Sequence, residues 1–167
     1  MNPVCIRAAG ALAFALLSAV ASAADYPAPK EGDWVARDFR FHTGEVMPEL
    51  RLHYRTLGDP SGEPALLLHG TGGSGANFLT PGFAGELFGS GQPLVASKYF
   101  VVLPDAIGTG KSAKPSDGLR TKFPKYNYDD MVEAQYRLVT EGLERFGPVD
   151  RDFLVGDQLP SADQVVA

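Results

Sequence analysis

The stretch YFVVLPDAIGTGKS, Tyr99 to Ser112, decides how this 167-residue chain is read. Its first residues, Tyr99–Leu103, form an apolar run of the kind that makes a buried strand. A glycine-rich loop ending in Gly110-Lys111-Ser112 follows. A phosphate-binding loop needs G-x-x-x-x-G-K-[ST], because its first glycine lets backbone N–H groups wrap the anion. Counting back from Gly110, that first position holds Asp105. A carboxylate there repels phosphate, so an ATP or GTP enzyme is disfavoured. The same residues also parse as D-x-x-G-x-G-x-S, through Asp105, Gly108, Gly110 and Ser112.

Upstream, Ala65-Leu-Leu-Leu-His69 is apolar throughout its first four residues, as expected for a parallel strand buried on both faces. It opens into His69-Gly70-Thr71-Gly72-Gly73. Glycines bring bare backbone N–H groups close to a reacting atom, since no Cβ obstructs the approach. Such donors stabilise the oxyanion of an acyl-transfer intermediate. Taken alone, a flexible glycine turn explains the segment equally well.

Further upstream, Val35–Phe41 alternates Phe39 and Phe41 against Arg40. Leu50, Leu52 and Tyr54 alternate against Arg51, His53 and Arg55. The two runs predict an antiparallel hairpin with Gly44 and Pro48 in its turn. Downstream, Asn127 is a good N-cap, with Asp129 and Asp130 in the first turn of a helix. Met131, Val132, Leu138, Val139, Leu143 and Phe146 form its apolar face, and Gly147-Pro148 ends it. Asp152-Phe-Leu-Val-Gly156 begins another short strand. Hairpin, strand, loop-helix, strand, loop-helix and strand define an α/β domain with a mainly parallel sheet and flanking helices.

His69-Gly70-x-Gly72-Gly73 followed by Asp105-x-x-Gly108-x-Gly110-x-Ser112 resembles the N-terminal half of an α/β-hydrolase. More narrowly the chain is similar to homoserine O-acetyltransferase-like members of that superfamily, through FAGELFGSGQPLVASKYFVVLPDAIGTGKSAKPSDGL and FPKYNYDDMVEAQYRLVTEGL. The resemblance spans Trp34 to Gly156. It implies that Gly70 and Thr71 form the oxyanion hole, with the Thr71 N–H as a donor. It makes Asp105 a structural residue that gathers local backbone N–H groups, and Lys111 a solvated one. It implies a small-molecule ester or acyl substrate, with no metal and no cofactor.

In this superfamily the next strand ends in G-x-S-x-G, the turn that lifts the serine nucleophile above the sheet. Here Gly156 is followed by Asp157-Gln158-Leu159-Pro160. Gln158 takes the nucleophile position without a hydroxyl, and Pro160 replaces the second glycine. Ser161 falls three residues late. The acid and the histidine that would follow in chain order to complete the triad are expected to be absent. His69 is expected to brace its loop, and His42 and His53 to be plain surface residues. Ser74 and Ser112, without a base to pair with, are expected to be structural.

These features predict an exported hydrolase-like protein, truncated near residue 156 and inactive by itself. The alternatives are a non-catalytic binding or regulatory module on a hydrolase scaffold and a fragment of a homoserine O-acetyltransferase-type enzyme. Export rests on Arg7, the apolar stretch Ala8–Val20 and the small-x-small site Ala21-Ser22-Ala23. Residues 1–23 are thus read as a signal peptide, 24–33 as a Pro-rich tether, 34–156 as a partial α/β-hydrolase domain and 157–167 as a divergent tail. Cleavage near Ala23 removes the only cysteine, Cys5, and leaves no membrane anchor. Without Arg7, 14 basic residues face 20 acidic ones, a net of −6 with no basic cluster, which disfavours nucleic acid. The last strand is expected to leave an exposed sheet edge through which copies associate.

Overall fold

The computed structural model describes residues 26–144. Within them lie β1 (Lys30–Arg40), β2 (Val46–Leu57), β3 (Glu63–Leu66) and β4 (Tyr99–Pro104). They form one mixed sheet in the order β1-β2-β4-β3. β1 with β2 and β2 with β4 are antiparallel, whereas β3 with β4 is parallel. Two α-helices flank the sheet: α1 (Pro81–Leu87) and α2 (Tyr128–Arg137). This is the α/β arrangement expected, with the parallel pairing confined to β3 and β4 among the described residues. The strand at Asp152–Gly156 lies outside them, as do the segment 1–23, Gly147-Pro148 and the tail 157–167.

The sheet buries apolar side chains on both faces. Leu50 and Leu52 of β2 meet Phe39, Phe41, Ala134 of α2 and Leu138 in one cluster. Leu57, of opposite parity and so on the opposite face, meets Val101, Leu103, and Ala84 and Phe88 near α1 in the other. β4 is buried almost along its whole length. That fixes the position of the loop leaving it.

Several expectations change. Pro48 is not in the turn but inside β2, and the ladder skips the Asp38–Pro48 position because proline has no N–H to give. Asp38 takes φ 49° there. The turn itself uses Gly44, at φ 88°. Residues 30–33 belong to β1 rather than to a tether, because Glu31 and Asp33 find partners on β2. β3 is half-buried to exposed, not buried on both faces, and Leu68 beyond it is 42% exposed. It is the end strand of the sheet among the described residues, so one edge has no neighbour there.

α2 begins as expected at Asn127. The Asn127 side chain accepts from the Asp130 N–H at 3.1 Å, and the Asp130 carboxylate accepts from the Asn127 N–H at 2.9 Å. The helix ends earlier than the sequence suggests. A π-helical turn, Leu138–Gly142, follows it, closed by the Leu143 N–H on the Leu138 carbonyl at 2.9 Å. Gly142 lies against Trp34, where a Cβ would come within 2.8 Å of the indole.

His53 is not a surface residue, and His42, though exposed as expected, is tied to α2. Asp130 accepts from the His42 N–H at 2.7 Å and meets its Nδ1 at 2.6 Å, tying the hairpin to α2. His53 is buried, with Nδ1 2.9 Å from Asp33 and Nε2 3.5 Å from Glu31. The polar face of β2 is covered by the loop after β4, so alternation marked two covered faces rather than one wet one.

Candidate functional site

Because β3 and β4 run parallel, the loops that leave them emerge at the same edge of the sheet, the usual place for a site in an open α/β sheet. Those loops carry the two motifs. They interlock through His69 and Asp105.

Asp105, 1% exposed, is the hub. One carboxylate oxygen accepts from the Gly75 N–H at 2.7 Å and from the Arg55 guanidinium at 3.0 Å. The other accepts from the Lys111 N–H at 2.8 Å. Its own N–H donates to the His53 carbonyl at 2.8 Å. The glycines around it are required by contact. A Cβ on Gly110 would sit 2.0 Å from the Asp105 carboxylate, one on Gly75 2.4 Å from the Leu103 carbonyl oxygen, and one on Gly108 1.9 Å from the Tyr126 hydroxyl. Gly108 and Gly110 also have positive φ, 85° and 49°.

Ser112 is fully buried. Its hydroxyl donates to the Asp105 carbonyl at 2.6 Å and accepts from the His53 N–H at 2.9 Å. A phosphate loop needs that hydroxyl for Mg²⁺ and the Lys111 N–H for the phosphates; here both are spent inside the turn. The Lys111 side chain is not simply solvated either: Nζ lies 2.5 Å from Glu31. That ammonium, with Arg55 nearby, holds the Glu31 carboxyl below its ordinary value of 4.5. Tyr99 and Glu63 beside Lys98 push its ammonium above its ordinary range.

The glycine loop after β3 is open where the Asp105 turn is closed. Gly70, Thr71 and Gly72 are exposed, and His69 and Gly73 are half-buried. The Gly73 N–H closes a tight turn on the Gly70 carbonyl at 3.0 Å, with Gly72 at φ 77°. Ser74 and Asn77 then start a short helical turn at Gly75, the Ser74 N–H donating to Asn77 Oδ1 at 2.8 Å. Among the described residues no hydrogen bond is made by the Thr71 N–H. His69 spans the two loops. Its Nε2 accepts from the Ala106 N–H at 3.1 Å, and its Nδ1 lies 2.9 Å from the Gly70 carbonyl.

The structure thus brings together Gly70, Thr71, Gly72, Gly73, His69 and the Asp105 turn. Gln158 lies outside the described residues. Arg55, the buried counter-ion of Asp105, was missed by sequence reading, since its alternation with Leu52 and Tyr54 marked it as outward-facing. Gly75 was missed as a contact glycine because it sits inside a glycine-rich run. Among the described residues no group of His, Cys, Asp and Glu is arranged to hold a metal ion.

The mixed sheet, with a glycine loop after the parallel strand β3 braced against the Asp105 turn, is part of an α/β-hydrolase fold. No family model matches the chain. It is similar in fold to an acetylester hydrolase from Corynebacterium glutamicum, at TM-score 0.57 and 24% identity, over 67% of this chain and 33% of that one. In sequence it is 34% identical over 125 residues to a serine O-succinyltransferase of Emericella nidulans, covering 60% of this chain and 24% of that protein. It is 30% identical over 132 residues to a homoserine O-acetyltransferase of Thermobifida fusca, covering 68% and 35%. The chain is a homologue of these O-acyltransferases and carries part of an α/β-hydrolase fold. It spans about a quarter to a third of the length of these curated relatives.

Proposed function

We propose that this chain supplies the oxyanion side of an acyl-transfer site, in a protein that passes an acyl group from a small ester to a hydroxyl or to water. The observation that carries this reading is the free Thr71 N–H in the braced Gly70–Gly73 turn. The serine and homoserine acyltransferases and the acetylester hydrolase resembling this chain are named for acyl-ester chemistry. The apolar stretch at 8–20, followed by Ala21-Ser22-Ala23, supports export, to the periplasm or beyond. Outside the cytoplasm acetyl-CoA is not to hand, so water is the favoured acceptor and the activity an esterase. The 167 residues themselves carry no G-x-S-x-G elbow, and Gln158 stands at the nucleophile position, so this polypeptide alone is inactive.

Two experiments test the reading. The purified chain exposed to a fluorophosphonate probe is expected to stay unlabelled; stoichiometric labelling at Ser74, Ser112 or Ser161 overturns the claim of inactivity. A chimera joining residues up to Gly156 to the remainder of the C. glutamicum acetylester hydrolase is expected to cleave an acetyl ester. In it, Thr71→Pro, which removes the N–H, lowers kcat by about 10²–10³-fold, the usual effect of losing one oxyanion donor. An active chimera indifferent to that substitution overturns the assignment of Thr71.

A further inference from the structure

We infer that His69 is a positioning residue that aims the Thr71 N–H, by holding the Gly70 carbonyl on the other side of the same peptide plane. The inference rests on the oxyanion reading of Thr71 and says what fixes its direction.

In a trans peptide the C=O of one residue and the N–H of the next point in opposite directions. No peptide among the described residues is cis, so the direction of the Thr71 N–H is set wherever the Gly70 carbonyl is held. Two donors hold it: the Gly73 N–H at 3.0 Å and His69 Nδ1 at 2.9 Å. A carbonyl oxygen can only accept, so Nδ1 carries the proton. The other ring nitrogen agrees. Ala106 has an N–H to give, so Nε2 must accept, and the Thr109 hydroxyl lies 3.3 Å from it. The Thr109 hydroxyl gives its one proton to the Ala106 carbonyl at 3.0 Å, so it offers none to Nε2 and leaves the Ala106 N–H as that nitrogen's donor. Every partner is satisfied by one state of the ring, neutral with its proton on Nδ1.

A Cβ on Gly70 or on Gly72 would meet nothing within 4 Å, so open space lies beside both glycines. Glycines on both sides of Thr71 make rotation of the Gly70–Thr71 peptide easy. At the far end of the ring, Ala106 is 2% exposed and belongs to the turn built on Asp105. His69 is therefore a strut from a buried backbone to an open, glycine-rich one.

Two substitutions separate the ends of the strut. His69→Asn places a donor where Nδ1 was and cannot reach Ala106; His69→Gln places an acceptor near Nε2 and leaves Gly70 without its donor. The measurements are the Gly70 carbonyl ¹³C shift and the Thr71 N–H dipolar coupling in the isotopically labelled chain. Both are expected to move in His69→Gln, which cuts the strut at Gly70, and in His69→Asn, which cuts it at Ala106, the coupling falling toward a value averaged over two orientations. Unchanged values in either variant overturn the inference. In the unsubstituted chain, ring ¹⁵N correlations are expected to show the proton on Nδ1. A proton on Nε2 overturns the inference even if neither variant folds. None of these readouts needs turnover, so a chimera without esterase activity fails the oxyanion reading while leaving the strut measurable.

Discussion

Asp105 shows how a single carboxylate can organise a loop. With a buried guanidinium and two backbone N–H groups on it, it cannot be replaced by an isostere. Asp105→Asn keeps the shape, but turns a donor toward Arg55 or toward the Lys111 N–H. Arg55 keeps Glu31 as a second partner at 3.1 Å, so the loss is at the lower end for a broken buried pair, about 3 kcal/mol. Urea unfolding is expected to show that drop; a change below about 1 kcal/mol means that the pair is not the hub described here. Glu31 gives a pH signature. Its carboxyl titrates lower in the folded chain than its ordinary 4.5, because Lys111 and Arg55 stabilise the charged form. A lowered folded value means that its contribution is present above that ordinary value and is lost as pH falls below it. Melting temperatures from pH 7 to pH 3 are expected to converge for the chain and its Glu31→Gln variant at the acid end. A constant gap across that range contradicts the assignment.

At the scale of elements, α2 depends on its first turn more than on its length. Asp130 accepts from the Asn127 N–H, from the His42 N–H and from the His42 ring region, at 4% exposure. One side chain therefore caps the helix and fastens it to the hairpin. Asp130→Ala removes both functions and leaves part-buried N–H groups of His42 and Asn127 unpaired, an expected cost of about 1–3 kcal/mol. The amide-exchange protection of α2 and of the 41–45 turn is expected to fall together. Loss in α2 alone means that the His42 contact contributes nothing. The N-cap was legible because Asn127 and Asp130 meet within one helical turn. The His42 contact was not, because it joins residues 88 positions apart in the chain. Pro48 marks the same limit: a proline reads as a turn signal, yet a strand accommodates it where the ladder can skip a rung.

For the whole molecule, the open question of association lies at β3. Its outer edge has no strand beside it among the described residues, and Leu68 is 42% exposed just beyond it. An unpaired strand edge is a template for another strand. We expect the weight-average mass in sedimentation to rise with concentration, and Leu68→Lys to reduce that rise. A monomer of concentration-independent mass, with a single cooperative melt, favours instead a closed core and the binding-module reading.

The sequence alone determined the order of the elements among the described residues, the hairpin, the buried run at β4 and the glycine loop beside the D-x-x-G-x-G-x-S turn. These are set by local chemistry: alternation, apolar runs, and glycines where no side chain fits. It also disposed of the phosphate loop, since one residue, Asp105, is of the wrong charge for it. Tertiary structure alone decided where Asp105 finds its charge partner, that the polar face of β2 is covered, and that His53 is buried. It alone decided that His69 joins Ala106 to the carbonyl beside the Thr71 N–H. Contacts of that kind link residues 37 or 50 positions apart, and their geometry exists only once β3 and β4 lie side by side and bring their loops to one edge.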